Sequence, residues 1–199
     1  MNMINKLMIH WLSRFFAGST ILAAVLLVSC GDDPQPANEE ELITTLTVTL
    51  TSSGGAPITM TFKDLDGSGP GTPTYTYSSG GNEAILLTST TYAASLTLLN
   101  ESVTPSENIT TEIEEEADEH LFCFQKTGLS GLSINYADTE ADYIGSGVLP
   151  VGLTTTWTAT SESSGTVKIT LRHQPGTKNG DCPGSGDTDI EVTFNIVIQ

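Results

Sequence analysis

His120 and His173 are the side chains best suited to binding a transition metal outside the first thirty residues. His120 follows Glu116 at the i, i+4 spacing of a helix face, and His173 ends a strongly alternating segment. If the fold brought the two imidazoles together, they would suit a metal or a haem. The alternative, which the sequence favours, is that His120 continues the apolar face of Ile113 and Ala117 as a hydrogen-bonded core histidine. Convergence of the two histidines would discriminate between these interpretations.

Carboxylate clusters make calcium the candidate cofactor. Asp64, Asp66 and Gly67 place oxygens at alternate positions with a glycine turn, as in the first half of an EF-hand loop. The twelfth position is Tyr75 rather than Glu and no helices flank the loop, which excludes the EF-hand family. A looser calcium loop and a solvated hairpin loop both stay open. Similar clusters occur at Asp138, Glu140 and Asp142 and at Asp187 and Asp189.

Motifs of known enzymes are missing from the sequence. There is no G-x-S-x-G, H-E-x-x-H or Cys-x-x-Cys, and the glycine-rich stretch 64–73 opens no helix that would cradle a phosphate. We therefore predict that the protein is not an enzyme; a hydrolase would require an acid pair in a cleft. Aromatic side chains would form either a sugar-stacking platform or core pairs: Tyr75, Tyr77, Tyr92, Tyr136, Tyr143 and Trp157.

The N-terminus has the pattern of a signal peptide. Lys6 and Arg14 precede an apolar or small run over residues 15–28, without any acidic residue. Fourteen helical residues span about 21 Å, which is shorter than the hydrocarbon core of a bilayer at ~30 Å. Export followed by cleavage is therefore favoured over a permanent membrane span.

Residues 27–30, which read Leu, Val, Ser and Cys, resemble the lipobox of bacterial lipoproteins. The resemblance implies a signal peptide at 1–29 and lipidation of Cys30. Asp32 and Asp33, in the acidic tether 30–41, are similar to the export signal of Bacteroidota surface lipoproteins. That similarity implies anchorage in the outer membrane with the domain facing outward; the alternatives are the periplasmic face and an ordinary solvated tether.

Two cysteines remain after lipidation. Cys123 lies in an apolar run and Cys182 in a glycine-rich turn. Because the cell envelope is oxidising, an even pair predicts a disulfide; two separate thiols are the alternative.

The excess of acidic residues limits the kinds of partner that the protein can bind. Seven Lys and Arg face 24 Asp and Glu, for a net charge of −17. Such a surface repels nucleic acid and anionic headgroups, so we predict no nucleic-acid partner and membrane contact through the lipid alone.

Two-residue alternation dominates the rest of the chain. In TLTVTLT, residues 45–51, Leu46, Val48 and Leu50 share one face and threonines the other. Eight to ten such segments, separated by Gly, Pro, Ser and Asp, predict an all-β immunoglobulin-like or related Greek-key β-sandwich as a single domain at 42–199. The segments lie near residues 45–51, 58–62, 75–77, 84–87, 92–98, 121–125, 132–136, 155–160, 167–171 and 190–198.

One segment has helical periodicity instead. Thr104, Pro105 and Glu107 fit a capping box, and Ile109, Ile113 and Ala117 then recur every four residues. This pattern predicts one crossover helix over about 105–118.

Together these features predict a non-enzymatic, outer-membrane-anchored surface lipoprotein with a binding or structural β-sandwich. The alternative is a lipoprotein that captures a metal, a haem or a glycan and works with an outer-membrane transporter.

Overall fold

The computed structural model describes residues 41–67 and 69–199 of the chain. These residues belong to one compact unit, Glu39–Gln199. The predicted signal peptide, Cys30 and the tether up to residue 40 lie outside the described residues. The signal peptide, the lipidation and the domain boundaries therefore stay predictions.

Within the described residues, ten strands form two sheets, which confirms the predicted all-β sandwich. The six-stranded sheet has the order β3-β2-β1-β5-β8-β7, and the four-stranded sheet has the order β4-β10-β9-β6. The strands are β1 (Thr45–Thr51), β2 (Ile58–Lys63), β3 (Thr74–Tyr77), β4 (Ala84–Leu86), β5 (Thr90–Leu99), β6 (His120–Thr127), β7 (Leu132–Tyr136), β8 (Thr154–Ala159), β9 (Ser163–His173) and β10 (Asp187–Ile198).

The larger sheet contains a Greek-key order, as predicted. Strands β1, β2 and β3 pair in sequence, and β5 then returns to lie antiparallel beside β1. On the way, the short β4 pairs in parallel with β10 of the other sheet. The connection thus ties the two sheets together.

The alternation of apolar and polar residues explains why these segments form a sandwich. Leu46, Val48 and Leu50 are completely buried between the sheets, whereas Thr47 and Thr49 on the opposite face are half-buried. Burying each such apolar side chain contributes roughly 1.5–3 kcal/mol. Side chains of β10, including Val192 and Phe194, fill the same core from the smaller sheet.

The predicted helix is shorter than expected. It spans Ile109–Glu115 (α1) with Asn108 as its N-cap, so the predicted capping box is wrong. Glu107 instead forms a β-bridge with Asn100, and its carboxylate accepts a hydrogen bond from the Asn100 amide at 2.8 Å. The helix connects β5 to β6 in the other sheet and buries Ile109 and Ile113, which confirms the crossover.

A second short helix, Ala141–Ile144 (α2), was not predicted from the sequence. No helix among the described residues is long and apolar enough to span a membrane.

Candidate metal centre

The two histidines meet at one end of the sandwich. His120 opens β6 and His173 closes β9, and the antiparallel register places them directly opposite each other. Their imidazoles stack with ring centroids 4.4 Å apart and planes 14° apart. His173 lies on the same inward face of β9 as Ile169 and Leu171, and His120 lies opposite it on β6. Both rings are therefore buried, with 0% exposure for His120 and 4% for His173.

Carboxylates surround the stacked rings. Glu41 Oε1 lies 3.0 Å from His120 Nε2, and Asp189 Oδ2 lies 3.9 Å from the same nitrogen. On the other ring, His173 Nε2 lies 3.3 Å from Glu119 Oε2. The side chains of Glu41 and Asp189 are 8% and 0% exposed, so they bring negative charge into the protein interior.

Four potential ligands converge on one point. Glu41, Glu116, His120 and His173 each offer one nitrogen or oxygen atom, and these four atoms all lie within 4.8 Å of one another. Nitrogen and oxygen ligands of a tetrahedral zinc ion lie roughly 3.3 Å apart. Modest side-chain adjustment would therefore close the group around one ion.

Backbone contacts orient the ligands. Nδ1 of His120 lies 3.2 Å from the carbonyl oxygen of Glu116, to which it can donate a hydrogen bond. That bond leaves Nε2 directed at Glu41, and metal-binding histidines commonly use their second nitrogen in this way. The amide of Gln174 donates to the carbonyl of Glu119 at 2.6 Å, which holds the end of β9 against the turn after α1.

A β-bulge brings Asp189 into the cluster. The β9–β10 register shifts between Thr188 and Ile190, so Asp189 is the extra residue opposite Leu171 and Arg172. Bulges redirect a side chain in this way, which explains how an acidic residue of an alternating strand becomes buried.

The electrostatics favour a positive charge at His120 Nε2. Burial alone lowers the pKa of His120, but the hydrogen bond to Glu41 and the charges of Glu41 and Asp189 outweigh it, so the net shift is upward. Burial likewise raises the pKa of Glu41, and His120 outweighs that effect and lowers it overall. Either a proton or a metal ion can supply this positive charge.

Three of the five predicted metal residues thus belong to one cluster: Glu116, His120 and His173. Asp64 and Asp66 do not join it. Asp66 accepts a hydrogen bond from the Gly71 amide at 2.8 Å and stabilises its own loop. Asp64 lines a cleft that opens beside the cluster.

Of the other candidate calcium ligands, Asp138 and Glu140 make hydrogen bonds and an ion pair within the protein. Asp138 is 5% exposed and accepts hydrogen bonds from the Gly152 amide, the Thr154 amide and the Tyr143 hydroxyl. Glu140 pairs with Lys178. These contacts stabilise the fold and leave few oxygens for an ion.

The tyrosines do not share one platform. Tyr92 and Tyr143 use their hydroxyls in contacts with Leu87 and Asp138, and Tyr136 packs edge-on against Phe124. Tyr75 and Tyr77 both pack edge-on against Phe194. Trp157 is completely buried.

The sequence did not indicate that Glu41 and Asp189 are neighbours of His120. Glu41 was assigned to the end of the tether and Asp189 to a loop cluster. The sequence lacks any signal for either contact, because the Asp189 contact depends on a bulge and the Glu41 contact on long-range packing.

Comparison with protein families, curated proteins and solved structures finds no match for this chain. The assignment of the site therefore rests on its own geometry.

The Cys123–Cys182 disulfide is present, with the Cα atoms 5.6 Å apart. Cys123 and Cys182 are thus oxidised, and the described residues of the centre offer only nitrogen and oxygen ligands. Such a set suits Zn²⁺ and similar divalent ions better than Cu(I), which prefers thiolate and thioether sulfur.

Proposed function

We propose that this chain is a non-enzymatic, outer-membrane-anchored surface lipoprotein whose β-sandwich captures a divalent transition metal. The observation that carries the proposal is the convergence of His120 and His173 with Glu41 and Glu116. It favours the capture role over a purely structural role, because stability alone does not require two buried imidazoles among carboxylates.

The charge of the cluster supports a cation. Glu41 and Asp189 are buried beside His120, and Glu119 contacts His173. Buried carboxylates require compensation, since removing a charge from water costs several kcal/mol. A divalent ion bound by the ring nitrogens and the carboxylate oxygens would provide that compensation.

The geometry favours a metal ion over a haem. Rings that stack 4.4 Å apart leave no space for a porphyrin between them. Two imidazoles also favour a transition metal over calcium, which prefers oxygen ligands.

The four donors support binding over catalysis. Structural zinc sites use four protein ligands, whereas catalytic sites keep one position for water or substrate. Four converging donors are sufficient to close the coordination shell.

Metal content of the purified full chain tests the proposal. After chelation and dialysis against Zn²⁺, we expect one zinc per chain in detergent. A hundredfold excess over Kd should stabilise the folded state by about 2.7 kcal/mol and raise Tm. His120→Gln and His173→Gln should each lose the zinc. Glu162→Gln, which changes an exposed carboxylate just before Ser163, the first residue of β9, should retain it. Wild-type protein without zinc, or zinc that persists in both histidine variants, would refute metal capture.

Anchorage is tested separately. Cys30→Ser should prevent lipid labelling and release the protein from the membrane, since Cys30 is the proposed lipid attachment site. Protease treatment of intact cells should digest the wild-type domain if it faces outward and spare it if it faces the periplasm.

A further inference from the structure

An acidic cleft opens beside the metal centre. It has a volume of about 360 Å³, and Glu41 and Asp189 belong to both its lining and the surroundings of His120. Its remaining charged residues are Asp64 and Glu191, and its apolar wall includes Ile43, Phe62 and Ile190. The cleft therefore connects solvent with the two carboxylates that contact the imidazole.

Among the residues that the structure describes, the lining of the cleft contains carboxylates and no cationic side chain. Clefts with charges of one sign and apolar walls focus the electric field and raise association rates by 10- to about 1000-fold. The Glu41 side chain is only 8% exposed, and its oxygen Oε2 is buried with no hydrogen-bond partner in the described part of the chain. This oxygen is available to a cation that arrives through the cleft.

Asp64 is distinguished from Glu191 by its surroundings. Glu191 pairs with Lys168 at 3.0 Å, whereas no cation of the described residues lies within ion-pair distance of Asp64. Among the described residues, one oxygen of Asp64, Oδ1, is buried without a hydrogen-bond partner. Burial, followed by the neighbouring Asp66 carboxyl group, raises the pKa of Asp64. Asp64 thus contributes a carboxyl group that has no cationic partner among the described residues.

Resting on the metal-capture function above, we propose that divalent ions reach the stacked imidazoles through this cleft and that Asp64 accelerates their capture. Asp64 acts through the field in the cleft and is not one of the four converging ligands. It should therefore affect the association rate of the ion more than its dissociation rate.

Stopped-flow mixing of the full chain in detergent with Zn²⁺ and a fluorescent zinc indicator measures both rates. Asp64→Asn should slow association about fivefold and leave dissociation within about twofold. Asp64→Glu, which keeps the charge, should restore most of the rate. Glu162→Gln makes the same change in net charge just before β9, at the opposite end of that strand from His173, and should have little effect. Added salt should slow the wild type more than Asp64→Asn, because screening weakens the attraction that Asp64 provides.

Equal association rates for Asp64→Asn and Glu162→Gln would overturn this inference while leaving metal capture intact. A change confined to dissociation would also overturn it, because Asp64 would then act as a ligand. If no variant and no wild-type protein binds zinc, the proposed function itself fails and this inference fails with it.

Discussion

Lys178 Nζ lies 3.0 Å from Glu140 Oε1, and the two side chains are only 2% and 7% exposed. The same ammonium donates to the Ala117 carbonyl at 2.6 Å, and the other Glu140 oxygen accepts from the Leu149 amide at 3.3 Å. This buried pair therefore joins the loop after β9 to the end of α1 and to the segment around α2. Burial is the largest influence on Lys178 and lowers its pKa, against the opposing effect of Glu140.

Removing one member of this pair should destabilise the protein strongly. Lys178→Met leaves the Glu140 carboxylate buried and uncompensated, at a cost of about 3 kcal/mol in the free energy of unfolding. The double variant Lys178→Met/Glu140→Gln removes both charges and should lose less than Lys178→Met alone. Urea denaturation of the wild type, Lys178→Met, Glu140→Gln and the double variant measures the coupling, and additive losses would contradict a direct ion pair.

Asp138 should be more important for stability than its neighbour Asp142. Its carboxylate accepts two backbone amides and the Tyr143 hydroxyl, at 2.7–2.8 Å. Asp138→Asn places an amide group against these donors and should cost about 2 kcal/mol, whereas Tyr143→Phe should cost about 1 kcal/mol. Asp142 is exposed and Asn can replace it as the acceptor for Thr139, so Asp142→Asn should stay within about 0.5 kcal/mol. Similar denaturation midpoints for the two Asp→Asn variants would refute this difference.

Reducing the disulfide should destabilise the domain. The bridge closes a loop with a sequence separation of 59, which the chain-entropy account converts to about 4 kcal/mol. Alkylation of the unfolded, non-reduced protein should modify neither Cys123 nor Cys182, and prior reduction should expose both. The variant Cys123→Ala/Cys182→Ala controls for effects of the reductant itself. Finding both thiols free without reduction would rule out the bridge.

The strands were predictable because a two-residue period is a local property. The segment 45–51 was predicted as a strand on its alternation alone, and β1 has the same limits. The start of α1 was not predictable in this way. Glu107 had the right spacing for a capping box, but its pairing with Asn100 depends on the end of β5 and is not visible in the local sequence.

The site was predictable only as separate candidates. His120 and His173 are far apart in the chain, and only the β6–β9 register places one opposite the other. A one-residue change in that register would turn one imidazole to the other face of the sheet. Asp189 depends in turn on the bulge after Thr188. Local patterns thus identified the histidines but not their relation to each other or to the buried carboxylates.

Tyr136 provides a test of the structure at alkaline pH. Its hydroxyl donates a hydrogen bond to the Phe122 carbonyl at 2.7 Å, which connects the two sheets at the edge strands β7 and β6. Burial, followed by the charge of Asp138, raises the pKa of Tyr136 to about 12. An ordinary tyrosine titrates at a pKa of about 10, so Tyr136 should ionise later than an exposed tyrosine.

The stability of this contact should depend on pH with a definite sign. Because the folded-state pKa is raised, the hydrogen bond contributes fully below about pH 10 and is lost as the pH rises through about 12. Tyrosinate absorbance recorded immediately after a rapid pH jump, as the difference between wild type and Tyr136→Phe, should therefore show a midpoint near 12. Below about pH 10 the Phe variant should be less stable by about 1 kcal/mol, since the Phe122 carbonyl loses its hydroxyl donor. This advantage of the wild type should disappear as the pH rises from about 10 towards 12. A midpoint near 10, or a stability difference that does not change with pH, would show that the Tyr136 hydroxyl is solvated and that the two sheets are not joined there.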